Sequence, residues 1–244
     1  MDIVTKETSK TKVQKLVEHL SDNESDYKSS KYKENEIKKY IKILEDFSKD
    51  YSIIGIEATF HLEKNNKEGK SLYPLDVFIL STIIRSYSLT KGFCNEINLN
   101  NSLCAISIVR MHFDTLLNLY SLYIVKDPFK CSENALKGKH IQQNKFVDKN
   151  INSEGKIAKA MSESNLIKID GTGLYKNYSR YIHFSEEHMN KIMQQNKSGK
   201  FKITVPDGFL DTDNLVINGC KDMLEITRNL FILWKNLDKL GISH

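Results

Sequence analysis

The chain has 244 residues, 40% of them hydrophobic and 27% charged, with a formal net charge of +5. That length supports one substantial core, and no run approaches the ~20 apolar residues needed to span a bilayer as a helix, so no membrane-spanning helix is expected. Only 3 prolines and 11 glycines interrupt the chain, which favours packed helices over a sandwich or barrel.

In chain order, Val13, Leu16, Val17 and Leu20 form one narrow apolar stripe at helical spacing. The polar stretch SDNESDYKSS (21–30) reads as a link, so residues 1–30 are expected to be a helical arm and linker, and residues 31–244 a helical bundle domain. A long amphipathic helix runs from Ile37 through Leu44 and Phe47 to Ile54, and KNNKEGKS (64–71) is a loop. Pro74 suits a first helical turn, where its missing N–H costs nothing, and that helix should bury Val77, Leu80, Ile83, Ile84 and Tyr87 and stop near Gly92. Asn101 and Ser102 are good N-caps for the next helix, which ends at Asp127-Pro128 because the residue before proline leaves the α region. Its stripe reads Leu99, Leu103, Ile106, Arg110, Phe113, Leu117, Tyr120 and Ile124. After a polar region (130–155) with room for short helices, Asp170 caps a helix over roughly 171–184. GKFKITVPDG (199–208) reads as one short extended segment. The last helix starts after Asp211 or Asp213 and carries Val216, Cys220, Met223, Thr227, Leu230, Trp234 and Leu237. The expected fold is an all-α helical bundle.

Charge is uneven along this chain. Residues 126–202 hold 15 basic and 8 acidic residues, whereas residues 203–244 hold 4 and 6. The basic stretch is a surface on which phosphate, RNA included, would be attracted. Within it lies NYSRYIHFSEEH (177–188), where tyrosines, an arginine, histidines, serines and acids crowd together.

Arg110 is the most informative single residue. Its helix neighbours Ile106, Phe113 and Leu117 all face a core, and a guanidinium there must be paired or line a polar cavity. Asp114, one turn on, is a partner on the same helix; the alternative is an anion met in a cleft. His183 lies beside the apolar face of the 171–184 helix, near an end where the dipole favours imidazolium, and histidine titrates in the range of acid–base work. It is equally a capping or packing residue. His183 and His188 stand five apart, which turns them away from each other on a helix and argues against a zinc pair. GxGxxG, GK[ST], GxSxG and CxxC motifs are all missing, so no nucleotide loop, serine nucleophile, cofactor or structural zinc is expected. The N-terminal MDIVTKETSKTK lacks an apolar signal region, and the widely spaced Cys94, Cys104, Cys131 and Cys220 suit reduced thiols in the cytoplasm.

Two stretches together, ISIVRMHFDTLLNLYSLYIVKDP (106–128) and LYKNYSRYIHFSEEHM (174–189), resemble a group of uncharacterised bacterial proteins related to the HEPN superfamily of helical bundles. The matching positions are Arg110, Asp127, Pro128, Tyr178, Ser179, His183 and Ser185. The resemblance implies a four-helix core bringing Arg110 and His183 together, a role in anti-phage or toxin–antitoxin defence, and metal-independent endoribonuclease chemistry. In that chemistry Arg110 would bind phosphate, His183 would act as general acid/base, and Tyr178 would orient one of them. HEPN bundles also imply a homodimer or a protein partner. The usual HEPN mark, arginine followed four to six residues later by histidine, is missing: Arg110 precedes His112 by two residues and Arg180 precedes His183 by three. The alternative expectation is a non-catalytic HEPN-like module that engages a protein partner or small ligand.

Overall fold

Helix boundaries fall largely where local chemistry places them. The structure is a computed structural model that describes residues 33–51, 73–182, 193–195, 201–203 and 213–240. Seven α-helices are described: α1 (33–51), α2 (Pro74–Asn98), α3 (Ser102–Ile124), α4 (Pro128–Leu136), α5 (Glu154–Ser162), α6 (Gly171–Ile182) and α7 (Asp213–Lys235). The fold is all-α apart from one small ladder, in which β1 (Met193–Gln195) pairs antiparallel with β2 (Phe201–Ile203). β2 falls within the expected extended segment; its partner strand was not foreseen. The 1–30 arm lies outside the described residues.

Pro74 opens α2 as expected, but the helix runs six residues beyond Gly92. Phe93, Cys94 and Ile97 continue its buried face, and their packing outweighs the weak helix propensity of one glycine. Asn101 caps α3, its side chain accepting from the Cys104 amide at 3.4 Å, and Asn100 takes the left-handed conformation (φ 56°) that asparagine tolerates between helices. α3 ends at Ile124, three residues short of Asp127, where Val125 forms an isolated bridge with Phe146. Asp127 instead caps α4 through the Lys130 amide at 2.9 Å. Asp170 caps α6 through the Gly173 amide at 2.8 Å, while the Thr172 amide bonds Ser162 Oγ at 3.0 Å, so two orphan donors at this helix start are satisfied.

α3 is the central rod, packed against α2, α5, α6 and α7. Ala105, Ile106, Val109, Phe113, Leu116 and Leu119 are all fully buried. Burial therefore covers most of the helix and not one narrow stripe; Ser107, Met111, Asp114 and Asn118 form the part-exposed face. Leu99 and Leu103, expected in the seam, are instead exposed: they sit at the α2–α3 turn, before α3 enters the bundle. Likewise Ile84 of α2 faces outward, and the buried face is Leu75, Phe78, Ile79, Thr82 and Ile83.

Two glycines set helix spacing. A Cβ on Gly219 of α7 would stand 2.6 Å from Ile106 Cδ1, and one on Gly171 would stand 2.5 Å from the Ala158 carbonyl oxygen of α5. α1 docks on α7 through aromatic rings: Tyr51 meets Phe231 and Trp234 at centroid distances of 4.9 and 5.6 Å. Trp234 Nε1–H donates to Thr82 Oγ1 at 3.1 Å, tying α7 to α2. Among the described residues no helix is long and apolar enough to cross a membrane.

Candidate functional site

Arg110 stands mid-way along α3 with its side chain 5% exposed. Its two terminal nitrogens have separate carboxylates: Nη1 donates to Asp114, one turn on, and Nη2 reaches Glu154 Oε2 of α5 at 3.5 Å. Aromatic rings flank the guanidinium, Tyr175 of α6 at 5.0 Å and Phe113 at 5.7 Å. Its Nε is buried without a partner. Burial pulls this group below its ordinary value and Glu154 pushes it back, yet guanidinium starts so high that it stays cationic at neutral pH. Asp114 and Glu154 are partly exposed, so the cation is inside and its counter-charges lead outward. The arrangement has one positive charge facing two negative ones.

Tyr178, one turn beyond Tyr175 on α6, is also buried, and its hydroxyl donates to Asp222 of α7. Burial raises the Asp222 carboxyl above its ordinary value and nearby Asp170 raises it further, while the Tyr178 hydroxyl and Lys221 pull it down. Glu225, one turn along α7, is raised by burial and by Asp222 and Asp170, against Arg228. Thus Arg110 faces α5 and Tyr175, while Tyr178 faces α7. His183 lies outside the described residues, since α6 is described to Ile182.

His112, which stands two residues after Arg110 and was not assigned a role, is completely buried. Its Nε2 lies 3.1 Å from Thr227 Oγ1, and Nδ1 lies a long 3.5 Å from Ser86 Oγ, which in turn meets Tyr51 Oη at 2.6 Å. Thr227 donates its own proton to the Met223 carbonyl at 2.9 Å, so its oxygen accepts from His112 Nε2–H, leaving Nδ1 as the acceptor. Burial first, and Arg85 second, push the imidazole down to about 3. A neutral histidine with both nitrogens engaged is a tie between α2, α3 and α7, not an acid–base catalyst.

The buried thiols of Cys94, Cys131 and Cys220 are pushed up to about 12, 11 and 12 by burial, the wrong direction for a nucleophile. Among the described residues no three His, Cys, Asp or Glu side chains are grouped to hold a metal ion.

An open cleft of about 610 Å³ lies on the outer face of α7. It is lined by α7, including Lys221, Leu224, Glu225, Arg228 and Ile232, by the segment 165–168 and by Tyr40 of α1. Sequence reading missed it because its walls come from three distant stretches; the one local signal is the mixed stripe at three- and four-residue spacing along α7.

Compared with known proteins, the chain matches no family model, no curated protein and no solved structure.

Proposed function

We propose that the protein is a non-catalytic, HEPN-like helical module that binds a ligand or partner. The observation that carries this reading is the closure around Arg110. A phosphate-binding arginine must present N–H groups to an accessible ligand, whereas here the side chain is only 5% exposed, each terminal nitrogen contacts a carboxylate, Asp114 or Glu154, and two rings flank the guanidinium. An incoming phosphate would have to displace a carboxylate and would meet its negative charge at close range. The same contacts explain why an arginine occupies an apolar seam without any catalytic demand: paired and ring-flanked, it locks α3, α5 and α6 in register.

The test is cleavage. Purified full-length protein incubated with labelled single-stranded RNA, with and without chelator, should leave the RNA intact, as should the Arg110→Met and His183→Ala variants. Cleavage by the wild type that either substitution abolishes would overturn the reading in favour of the ribonuclease.

A further inference from the structure

We infer that the α7 cleft seats a segment of this same chain, the apolar stripe Val13, Leu16, Val17 and Leu20 that precedes α1 in sequence. This goes beyond the binding-module reading, which leaves the cleft without an occupant. The cleft offers apolar surface to cover: Ile232 is 40% exposed and shares it with Leu224, Leu166 and the Tyr40 ring.

Most of the cleft's charges are matched from within. Lys221 reaches Glu36 of α1 at 3.4 Å and stands 5.9 Å from the centre of the Tyr40 ring, while Glu225 and Arg228 attract each other along α7. A charged ligand would have to compete with these contacts, whereas an uncharged apolar face would not. One wall is also fixed in advance. The Lys168 main chain is clamped by Asn229: its N–H donates to Oδ1 and its C=O accepts from Nδ2, both at 3.2 Å. Asn229 is itself buried and held by a third bond to the Glu225 carbonyl at 2.9 Å. The segment 165–168 is therefore in place beside α7 before anything binds, which keeps the ordering cost of an occupant low.

Size, charge and reach select residues 13–20 as that occupant. Along a helix, Val13 to Leu20 would span about 10 Å, against about 12 Å from Leu224 to Ile232 of α7. At helical spacing the four stripe residues share one side and Lys15 and Glu18 lie on the other, so the seated face carries no charge. A segment this short is marginal as a helix in water and needs a surface to pack on. For reach, α1 runs alongside α7 in the same direction. Glu36 meets Lys221, whereas Phe47 and Tyr51 meet Phe231 at centroid distances of 5.5 and 4.9 Å. The start of α1 therefore lies at the Lys221 end of the cleft. Residues 21–32, which join the stripe to α1, extend to at most about 40 Å, more than a return along the cleft requires. A tether of that length presents the stripe at about millimolar effective concentration, which favours it over a free partner.

Hydrogen–deuterium exchange of the full-length protein, followed by mass spectrometry, tests the seat. Peptides covering 13–20 should exchange about tenfold or more slowly than an unstructured chain. Ile232→Asp in the cleft and Leu16→Asp in the stripe should each return them to the unstructured rate, and Leu16→Asp should also speed exchange of the 165–168 segment. Exchange along α3 reports the core and should be unchanged in both variants. Dilution should leave the protection as it is, because a tethered segment meets its site at a concentration set by the linker. Three results would overturn the proposal: residues 13–20 exchanging at the unstructured rate in the wild type, protection that survives Ile232→Asp with α3 intact, or protection lost on dilution, which would place a second copy's segment in the cleft. None of them depends on whether RNA is cleaved.

Discussion

Lowering the pH from 7 to 4.5 should remove stability through one side chain, His112. In the folded protein its imidazole is neutral and pushed down to about 3, while in the unfolded chain it takes a proton near 6.5. The unfolded state therefore binds the extra proton between these values, so the contribution is fully present above pH 6.5 and is lost as pH falls toward 3. The slope is at most about 1.4 kcal/mol per pH unit, or about 2.7 kcal/mol between pH 6.5 and 4.5. The geometry gives the reason: a second ring proton on Nδ1 would face Ser86 in a fully buried site, with Arg85 repelling it. Asp222 and Glu225 work in the opposite sense, because carboxyls held above their ordinary values take protons more readily when folded. Comparison with His112→Gln, which can still bond Thr227 but does not titrate, cancels that background. Urea unfolding of both proteins at pH 7.0, 5.5 and 4.5 should show the variant less stable at pH 7 and the gap narrowing by about 1 kcal/mol or more per unit below pH 6.5. A gap independent of pH would refute the buried neutral histidine.

Three further substitutions probe the packing around the candidate site. Gly171→Ala places a Cβ 2.5 Å from a main-chain oxygen of α5 and should cost about 1–3 kcal/mol in thermal or urea unfolding. Gly219→Ala, which meets the movable end of Ile106, should cost less than Gly171→Ala; the reverse order would contradict the described helix spacing. Tyr178→Phe removes the hydroxyl that donates to Asp222, so it should cost about 1–2 kcal/mol and raise the Asp222 titration point followed by carboxyl NMR.

What was legible in the chain follows the reach of each interaction. Asn101 and Asp170 accept from amides three residues on and Pro74 fits a first helical turn, so these helix starts could be read directly, whereas Asp127 was read as the end of α3 and its capping of α4 was not seen. The anomaly of Arg110 was legible too, and so was Asp114, since a helix brings residues four apart together. Glu154 and Tyr175 were not, because they reach Arg110 only through packing of α5 and α6 on α3. His112 was hidden by the single-stripe reading: the buried face of α3 is much wider than one stripe, and His112 lies within it. The cleft joins α1, the segment before α6, and α7, and no spacing within any one of them announces it.

The closed state of Arg110 is the centre of the account, and a double-mutant cycle on Arg110→Met and Asp114→Asn, read by urea unfolding, tests it most directly. Held as described, the pair should show a coupling of about 1–3 kcal/mol, with Asp114→Asn alone destabilising because it leaves the buried cation to Glu154. A coupling near zero, with Asp114→Asn as stable as the wild type, would mean that the guanidinium is free to meet a ligand, and the non-catalytic reading would fall.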